Sequence, residues 1–171
     1  ETIGHTRRVA DLTIGLIKLM NFTDLDIEQI RRGVMLHDIG KIGIPDRILL
    51  KKSALTPEEW KIMRMHPTYA YDMLHSVPNL RKLVDIPYCH HERWDGSGYP
   101  RGLKGEEIPL VARLFTVVDV WDAITSDRPY RPAWKEKQAI AFMRSENGKH
   151  FDPAIIPIFL DNLGILIKPD T

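Results

Sequence analysis

The chain has 171 residues, 43% of them hydrophobic and 27% charged, which is typical of one globular domain with a buried core. Lys and Arg total 24 and Asp and Glu total 23, so the net charge of +1 gives no general case for binding a nucleic acid polymer or a membrane surface. The single cysteine, Cys89, excludes an internal disulfide and favours a reducing compartment. No apolar run approaches the roughly 20 residues of a transmembrane helix. We interpret residues 1–171 as one cytoplasmic domain of a longer regulatory protein, which could itself be membrane-anchored.

The first quarter of the chain has the pattern of two helices and a loop. Apolar residues recur at spacings of three and four over residues 2–20, which predicts an amphipathic helix. Asp26 is expected to cap a second helix that ends near His37. Gly40 follows that end and is expected to adopt the left-handed conformation of a helix stop. Residues 41–52 are predicted to form a loop with a short apolar stretch.

The middle of the chain begins with a strong helix-start signal. Thr56 precedes Pro57 and is followed three residues later by Glu59, a pattern that predicts a capping box. The helix that starts there is expected to end at His66, because Pro67 bends or restarts the chain. A further helix is predicted over residues 79–93, with an interruption near its internal proline.

The remainder is predicted to be one long loop followed by helices. Residues 94–108 contain four glycines and form the longest irregular stretch, whose turn-forming residues favour a functional loop. Helices are expected over residues 109–126, 135–146 and 153–163, with Asp152 as the cap of the last. No pair of segments has the turn chemistry of a β-hairpin, so the sequence predicts an all-α bundle.

Potential metal ligands accumulate near the predicted helix ends. Asp119 is the most informative, since an unpaired carboxylate among valines in the middle of a helix would cost several kcal/mol, roughly, and a cation removes that cost. A lone histidine is more often an ordinary structural residue, and His75 and His150 are interpreted in that way. Bundles build metal centres from side chains on several helices. The candidates are Glu1, His5, His37, Asp38, His66, His90, His91 and Asp119.

The number and type of these candidates favour more than one ion. A single zinc ion takes three or four protein ligands, and eight are too many for it. Adjacent helical residues such as His90 and His91 point about 100° apart and can serve neighbouring ions, while a carboxylate such as Asp38 or Asp119 can bridge two. Imidazole and carboxylate ligands without thiolate suit iron, manganese or zinc and argue against calcium. Glu1 has a competing interpretation as a solvated terminal residue.

Four stretches together resemble the HD-GYP family, bacterial phosphodiesterases of the HD superfamily that degrade cyclic di-GMP. They are HDIGKIGIPD at 37–46, LTPEEW at 55–60, HHERWDGSGYP at 90–100 and DVWDAITSDRPYRP at 119–132. The similarity extends over essentially the whole chain. The His–Asp doublet alone would be a weak signal, but the four stretches in this order are specific. The resemblance implies an HD-superfamily helical bundle with a metal centre and a long glycine-rich loop.

The resemblance also assigns roles to individual residues. His5 matches an additional family ligand, and Glu1 stands where some members place a glutamate for a third metal. Asp38 and Lys41 are the expected catalytic residues, with Lys41 near the scissile phosphate. The six remaining positions of the implied ligand set are His37, Asp38, His66, His90, His91 and Asp119. The expected substrate-binding residues are Gly98, Tyr99, Pro100, Asp122, Arg128 and Arg131.

The function implied is hydrolysis of cyclic di-GMP to pGpG, GMP or both. The expected cofactors are two or three divalent ions, iron or manganese, with zinc, nickel or magnesium as alternatives. Expected partners are cyclic di-GMP, diguanylate cyclase domains and an upstream regulatory domain of the parent protein. One alternative is another HD-superfamily hydrolase acting on other phosphate esters. The other is a non-catalytic cyclic-dinucleotide sensor or a docking module for diguanylate cyclases.

Overall fold

The computed structural model describes residues 4–128 and 131–167, and these fold into a bundle of α-helices joined by short 3₁₀ turns. The described residues contain no β-strand, which confirms the predicted all-α class. Three 3₁₀ segments lie at Ile39–Gly43, Pro78–Leu83 and Gly105–Glu107. The α-helices are α1 (His5–Leu19), α2 (Ile27–Met35), α3 (Asp46–Leu49), α4 (Pro57–Met63), α5 (His66–His75), α6 (Asp85–Cys89), α7 (Leu110–Thr125), α8 (Glu136–Ser145), α9 (Ile155–Asp161) and α10 (Leu163–Leu166).

Helix α7 is the centre of the bundle. Its apolar residues include Leu114, Phe115, Val117 and Val118, which are all fully buried. They form one core with apolar residues of α1, α2, α8 and α9. Because α7 is surrounded on most sides, a polar residue on it such as Asp119 is partly buried. None of the helices in the described part of the chain combines the length and apolarity needed to cross a bilayer.

Two helix starts predicted from the sequence are confirmed. The carboxylate of Asp26 accepts the backbone N–H of Gln29 at 3.0 Å, at the start of α2. At the start of α4, Thr56 Oγ1 accepts the N–H of Glu59 at 3.2 Å. The side chain of Glu59 in turn accepts the N–H of Thr56 at 2.8 Å, which completes the capping box. Both signals depend only on neighbouring residues, which explains why the sequence alone reveals them.

The prediction that Gly40 adopts a left-handed conformation is wrong. Gly40 lies inside the 3₁₀ segment Ile39–Gly43 and is not among the glycines with positive φ. A Cβ at this position would lie 1.8 Å from the carbonyl oxygen of His66 and 2.6 Å from the backbone nitrogen of Ala70. Glycine is therefore required because the 3₁₀ segment passes directly against the backbone of α5. This contact brings the residues after α2 next to the first turn of α5.

Several predicted boundaries are also corrected. The helix started by Thr56 ends at Met63, and His66 begins α5, because Pro67 occupies the first turn of a new helix. The predicted loop over 41–52 contains the end of a 3₁₀ segment and the short helix α3. The predicted helix over 79–93 is a 3₁₀ segment followed by α6. The last predicted helix begins only at residue 155, although the Asp152 side chain does accept the N–H of Ala154 at 2.8 Å.

Candidate metal centre

The potential ligands reach the site from both halves of the chain. His5 is the first residue of α1, and Asp119 lies on the buried length of α7 beside it. His37 and Asp38 lie in the turn between α2 and the following 3₁₀ segment, and His66 opens α5. His90 and His91 follow the last residue of α6. Helix ends are suited to this task, because their side chains can project past the helix into a shared space.

The described residues form two groups that could each hold an ion. In the His5 cluster, one ligand atom from each of His5, His37 and Asp119 lies within 4.8 Å of the others. In the His66 cluster, the same is true of His66, His90 and His91. The seven candidates that fall within the described residues are therefore brought together, with Asp38 as the seventh. Glu1, the eighth, lies outside the described residues.

Asp38 lies between the two clusters. Its Oδ2 is 3.3 Å from Nε2 of His37, and its Oδ1 is 3.4 Å from Nε2 of His66. A carboxylate that reaches both clusters could contact an ion in each, and the bridging role stays a prediction. Burial acts to raise the pKa of Asp38, but its contact with His37 and the charge of Lys41 hold that pKa well below its usual range. Asp38 is therefore ionised at neutral pH.

Three of the histidines are oriented by their own backbone. Nδ1 of His37 lies 2.7 Å from the carbonyl oxygen of Val34, and Nδ1 of His66 lies 2.8 Å from that of Met63. Nδ1 of His90 contacts the carbonyl oxygen of Pro87 at 3.0 Å. A carbonyl can only accept, so each Nδ1 must carry the proton. Whenever such a ring is neutral, its Nε2 presents a lone pair to the shared space, as a metal ligand does. Burial acts to lower the pKa of His37, but Asp38 outweighs it and raises that pKa.

Two ring nitrogens of the His66 cluster face each other without a proton between them. Nε2 of His66 and Nε2 of His90 face each other at 3.4 Å. Burial lowers the pKa of both rings, that of His90 to about 4, so both are neutral and neither Nε2 has a proton to share. Among the described residues, the buried Oδ1 of Asp38 has no hydrogen-bond partner. Converging lone pairs and an orphaned carboxylate oxygen fit a site built for divalent cations.

The His5 side of the centre has a second layer of contacts. Nδ1 of His5 donates to Asp122 Oδ2 at 2.6 Å, and Arg8 Nε donates to Asp122 Oδ1 at 2.7 Å. Burial alone would lower the pKa of His5, but Asp119 and Asp122 outweigh it and raise that pKa to about 9. Asp122 was predicted to bind substrate, and the structure shows its oxygens directed at His5 and Arg8. Its substrate role stays a prediction.

The glycine-rich loop folds back onto the histidine pair. A Cβ on Gly98 would lie 2.3 Å from the backbone nitrogen of Arg93, so only glycine allows this approach. The ring of Tyr99 stacks on His91 with centroids 4.8 Å apart, and the guanidinium of Arg64 lies 5.3 Å from the centroid of the same tyrosine ring. Burial raises the pKa of Tyr99 to about 12, so its hydroxyl stays protonated. Tyr99 thus lies next to the centre, and the substrate role of residues 98–100 stays a prediction.

The predicted basic residues differ in where the structure places them. The ammonium group of Lys41 contacts the carboxylate of Asp38 and is therefore at the centre. Arg128 and Arg131 exchange backbone hydrogen bonds of 2.9 and 3.0 Å in the segment after α7. The guanidinium of Arg131 donates to the carbonyl oxygen of Ala123 at 2.6 Å and lies over Trp134. A role for these arginines at the substrate phosphates stays a prediction.

The sequence interpretation missed three residues of this site, namely Arg8, Arg64 and Glu92. Arg8 lies three residues after His5 and Asp122 three residues after Asp119, so helical spacing would have placed each pair on one face. Arg64 and Glu92 give no such signal, because their contacts are with an irregular loop whose path the sequence does not predict. Only the folded backbone reveals them.

Comparisons with known proteins agree on one family. The profile of the HD domain family matches residues 1–155. The cyclic di-GMP phosphodiesterase of Thermotoga maritima is 44% identical over 162 residues, which are 94% of this chain and 44% of that protein. The 3'3'-cGAMP-specific phosphodiesterase 2 of Vibrio cholerae is 36% identical over 164 residues, 95% of this chain and 31% of that protein. The chain spans less than half the length of these relatives.

Solved structures show the same architecture. One is Bd1817, described as a HDG"Y"P protein from Bdellovibrio bacteriovorus, with a TM-score of 0.71 and 22% sequence identity. The matched region is 94% of this chain and 51% of Bd1817. The cyclic GMP-AMP specific phosphodiesterase V-cGAP3 of V. cholerae has a TM-score of 0.69 at 16% identity, over 94% of this chain and 44% of its own. These likenesses confirm the predicted helical fold.

Proposed function

The chain belongs to the HD domain family, as the resemblance of its motifs predicted, and from this premise we propose that it is a metal-dependent phosphodiesterase that hydrolyses cyclic di-GMP to pGpG, GMP or both. The observation that carries the proposal is the position of Asp38, whose carboxylate reaches both ligand clusters and keeps one buried oxygen without a partner. The names of the similar curated proteins support the substrate class.

Different residues of the centre are proposed to have different roles in hydrolysis. The His5 cluster, the His66 cluster and the shared Asp38 would hold two divalent ions. Bound ions of this kind supply Lewis acidity toward the phosphate and acidify water, which are the two contributions that phosphodiester hydrolysis needs. Lys41, in contact with Asp38, is placed to stabilise negative charge on the phosphate or to protonate the leaving oxygen.

The ligand chemistry supports iron or manganese as the ions, with zinc, nickel or magnesium as alternatives, since the two clusters of the described residues offer imidazole and carboxylate. A third ion would need Glu1, which lies four residues before His5 in the sequence. Elemental analysis of anaerobically purified protein distinguishes two ions from three. A drop in metal content on replacing Glu1 would support the third site.

The substrate is proposed to lie between the metal centre and the glycine-rich loop. Tyr99, with Gly98 and Pro100, forms the wall next to His91. Arg128 and Arg131 are proposed to bind phosphate oxygens from the segment after α7, for which a guanidinium has suitable bidentate geometry. Asp122 is proposed to act in the same pocket through His5. In the parent protein, an upstream regulatory domain and diguanylate cyclase domains are the proposed partners, in the cytoplasm.

The alternative function is a non-catalytic sensor of cyclic dinucleotides or a docking module. The converging ligands argue for catalysis, because binding alone requires no bridging carboxylate between two metal clusters. Relatives named for 3'3'-cGAMP make that dinucleotide the appropriate second substrate to compare. A sensor would bind cyclic dinucleotide without releasing any product.

The test is hydrolysis of cyclic di-GMP by protein loaded anaerobically with Mn²⁺ or Fe²⁺, with products separated by chromatography. Wild-type protein is expected to release pGpG or GMP. Asp38→Asn removes the charge shared by the two clusters and should reduce the rate by more than about a hundredfold. The matched control is Asp46→Asn, which makes the same change at an exposed position and should keep full activity. A wild-type rate in the Asp38 variant would contradict the proposal.

A further inference from the structure

Glu92 has a buried carboxylate that is not one of the candidate metal ligands. It follows His90 and His91 directly and is only 2% exposed. Burying a carboxylate is costly unless hydrogen bonds compensate it. Both oxygens of Glu92 accept backbone N–H groups from the glycine-rich loop, from Arg101 at 2.8 Å and from Leu103 at 3.0 Å. These bonds join the segment that carries two metal ligands to the loop that lines the site.

A third backbone bond continues the same series. The N–H of Tyr99 donates to the carbonyl oxygen of His91 at 3.1 Å. The amides of residues 99, 101 and 103 are therefore all bonded to His91 or Glu92, at every second position along the loop. Gly98 makes the close approach possible, since any Cβ there would collide with the backbone of residues 91–93. The loop is thus fastened to the histidine segment, and Tyr99 is held against His91.

A positively charged side chain lies near Glu92 in the interior. Glu92 and Arg113 line the same small cavity of about 10 Å³, together with Thr116 and His150. Arg113 donates to Asp152 at 2.7 Å, while its buried Nε has no hydrogen-bond partner among the described residues. The loop amides are therefore the hydrogen-bond partners that fix the Glu92 carboxylate.

We propose that Glu92 is a positioning residue that holds residues 98–103 against His91 and thereby sets the affinity of the site for its substrate. The inference rests on the proposed function, since it concerns the wall of the proposed substrate pocket. Both hydrogen bonds that the Glu92 carboxylate accepts among the described residues come from the loop and not from a candidate metal ligand. Its loss should therefore raise KM and leave the metal content unchanged.

The variant that tests this is Glu92→Gln. Glutamine keeps the shape and one acceptor oxygen, but its NH₂ group would face one of the two loop N–H donors. We expect KM for cyclic di-GMP to rise about tenfold or more, with kcat changed by less than about threefold. The matched control is Glu107→Gln, because Glu107 accepts the N–H of Lys104 at 2.9 Å from an exposed position on the same loop. That control should keep the wild-type KM.

The outcomes are distinguishable. An unchanged KM in Glu92→Gln, at equal metal content, overturns the proposal. A parallel loss of metal and of kcat also overturns it, because Glu92 would then support the metal centre rather than the pocket wall. Loss of the whole fold, seen by circular dichroism, has the same consequence, since the role proposed is local.

Hydrogen exchange provides a readout that needs no activity. In the wild-type protein, the amides of Arg101 and Leu103 should exchange at least about tenfold more slowly than unbonded surface amides. In Glu92→Gln this protection should fall, while the amides of α7 keep theirs. Unprotected amides in the wild-type protein would overturn the proposal even if hydrolysis of cyclic di-GMP is established. Protection without any hydrolysis would support the positioning role and contradict only the proposed function.

Discussion

At the scale of single residues, the side chains around His5 show how a ligand can be oriented before it binds an ion. Asp122 binds the ring nitrogen of His5 that is directed away from Asp119, so Nε2 is left facing Asp119 at 3.4 Å. Arg8 donates a hydrogen bond to the other carboxylate oxygen of Asp122, Oδ1. Burial acts to raise the pKa of Asp122, but His5 and Arg8 lower it to about 2, so this carboxylate is ionised at neutral pH. Orienting partners of this kind commonly decide metal affinity.

Asp122→Asn should weaken metal binding about 10- to 100-fold, because an amide holds the His5 ring less firmly and no longer neutralises Arg8. Competition with a chelator of known affinity, under anaerobic conditions, measures the change. Ser126→Ala is the control, since Ser126 accepts from the same arginine at 3.3 Å but does not contact His5. Unchanged metal affinity with a raised KM would instead return Asp122 to the substrate role predicted from the sequence.

At the scale of elements, local and tertiary requirements explain which predictions succeeded. The caps at Asp26 and Thr56 were predictable because each motif lies within four residues. Gly40 carries no local sign of its role, since the atom that excludes a side chain belongs to His66, in another element. Pro67 was ambiguous because a proline that ends one helix can equally begin the next. Sequence periodicity thus located the helices but not the places where their backbones touch.

Gly40→Ala should therefore destabilise the protein strongly. The added Cβ would meet only backbone atoms of α5, which cannot move aside as a flexible side chain would. We expect a loss of about 3 kcal/mol in the free energy of unfolding. Gly164→Ala is the control: nothing lies within 4 Å of its Cβ position in α10, and alanine should be neutral or stabilising by up to about 1 kcal/mol. Denaturant unfolding of both variants measures the difference, and equal midpoints would contradict the packing argument.

At the scale of the whole molecule, the ligand types could be predicted from the sequence, but their division into two clusters could not. His5 meets Asp119 because α1 packs on α7, and His66 meets His90 because α5 and α6 converge. Neither crossing can be inferred from spacing along the chain. The resemblance to a family named the residues without revealing that Asp38 lies between the clusters.

Metal removal should lower the thermal stability of the whole domain. An ion that binds only the folded state stabilises it by about 2.7 kcal/mol when its concentration is a hundred times Kd. For a domain of this size, that corresponds to a rise in Tm of roughly 5–10 °C. Calorimetry with and without a chelator measures the shift, and Asp38→Asn should lose most of it. An identical Tm for chelated and loaded wild-type protein would argue against a metal centre at these residues.

The spread of the ligands along the chain has a consequence for biosynthesis. His5 and Asp119 face each other across the centre, although about 110 residues separate them in the sequence. Ribosomes add about 5–20 residues per second, so roughly ten seconds pass between synthesis of the first ligand and of the last. During that interval no complete His5 cluster can exist. An ion held by that cluster could therefore bind only after residue 119 has been synthesised, and not during synthesis of the first two thirds of the chain.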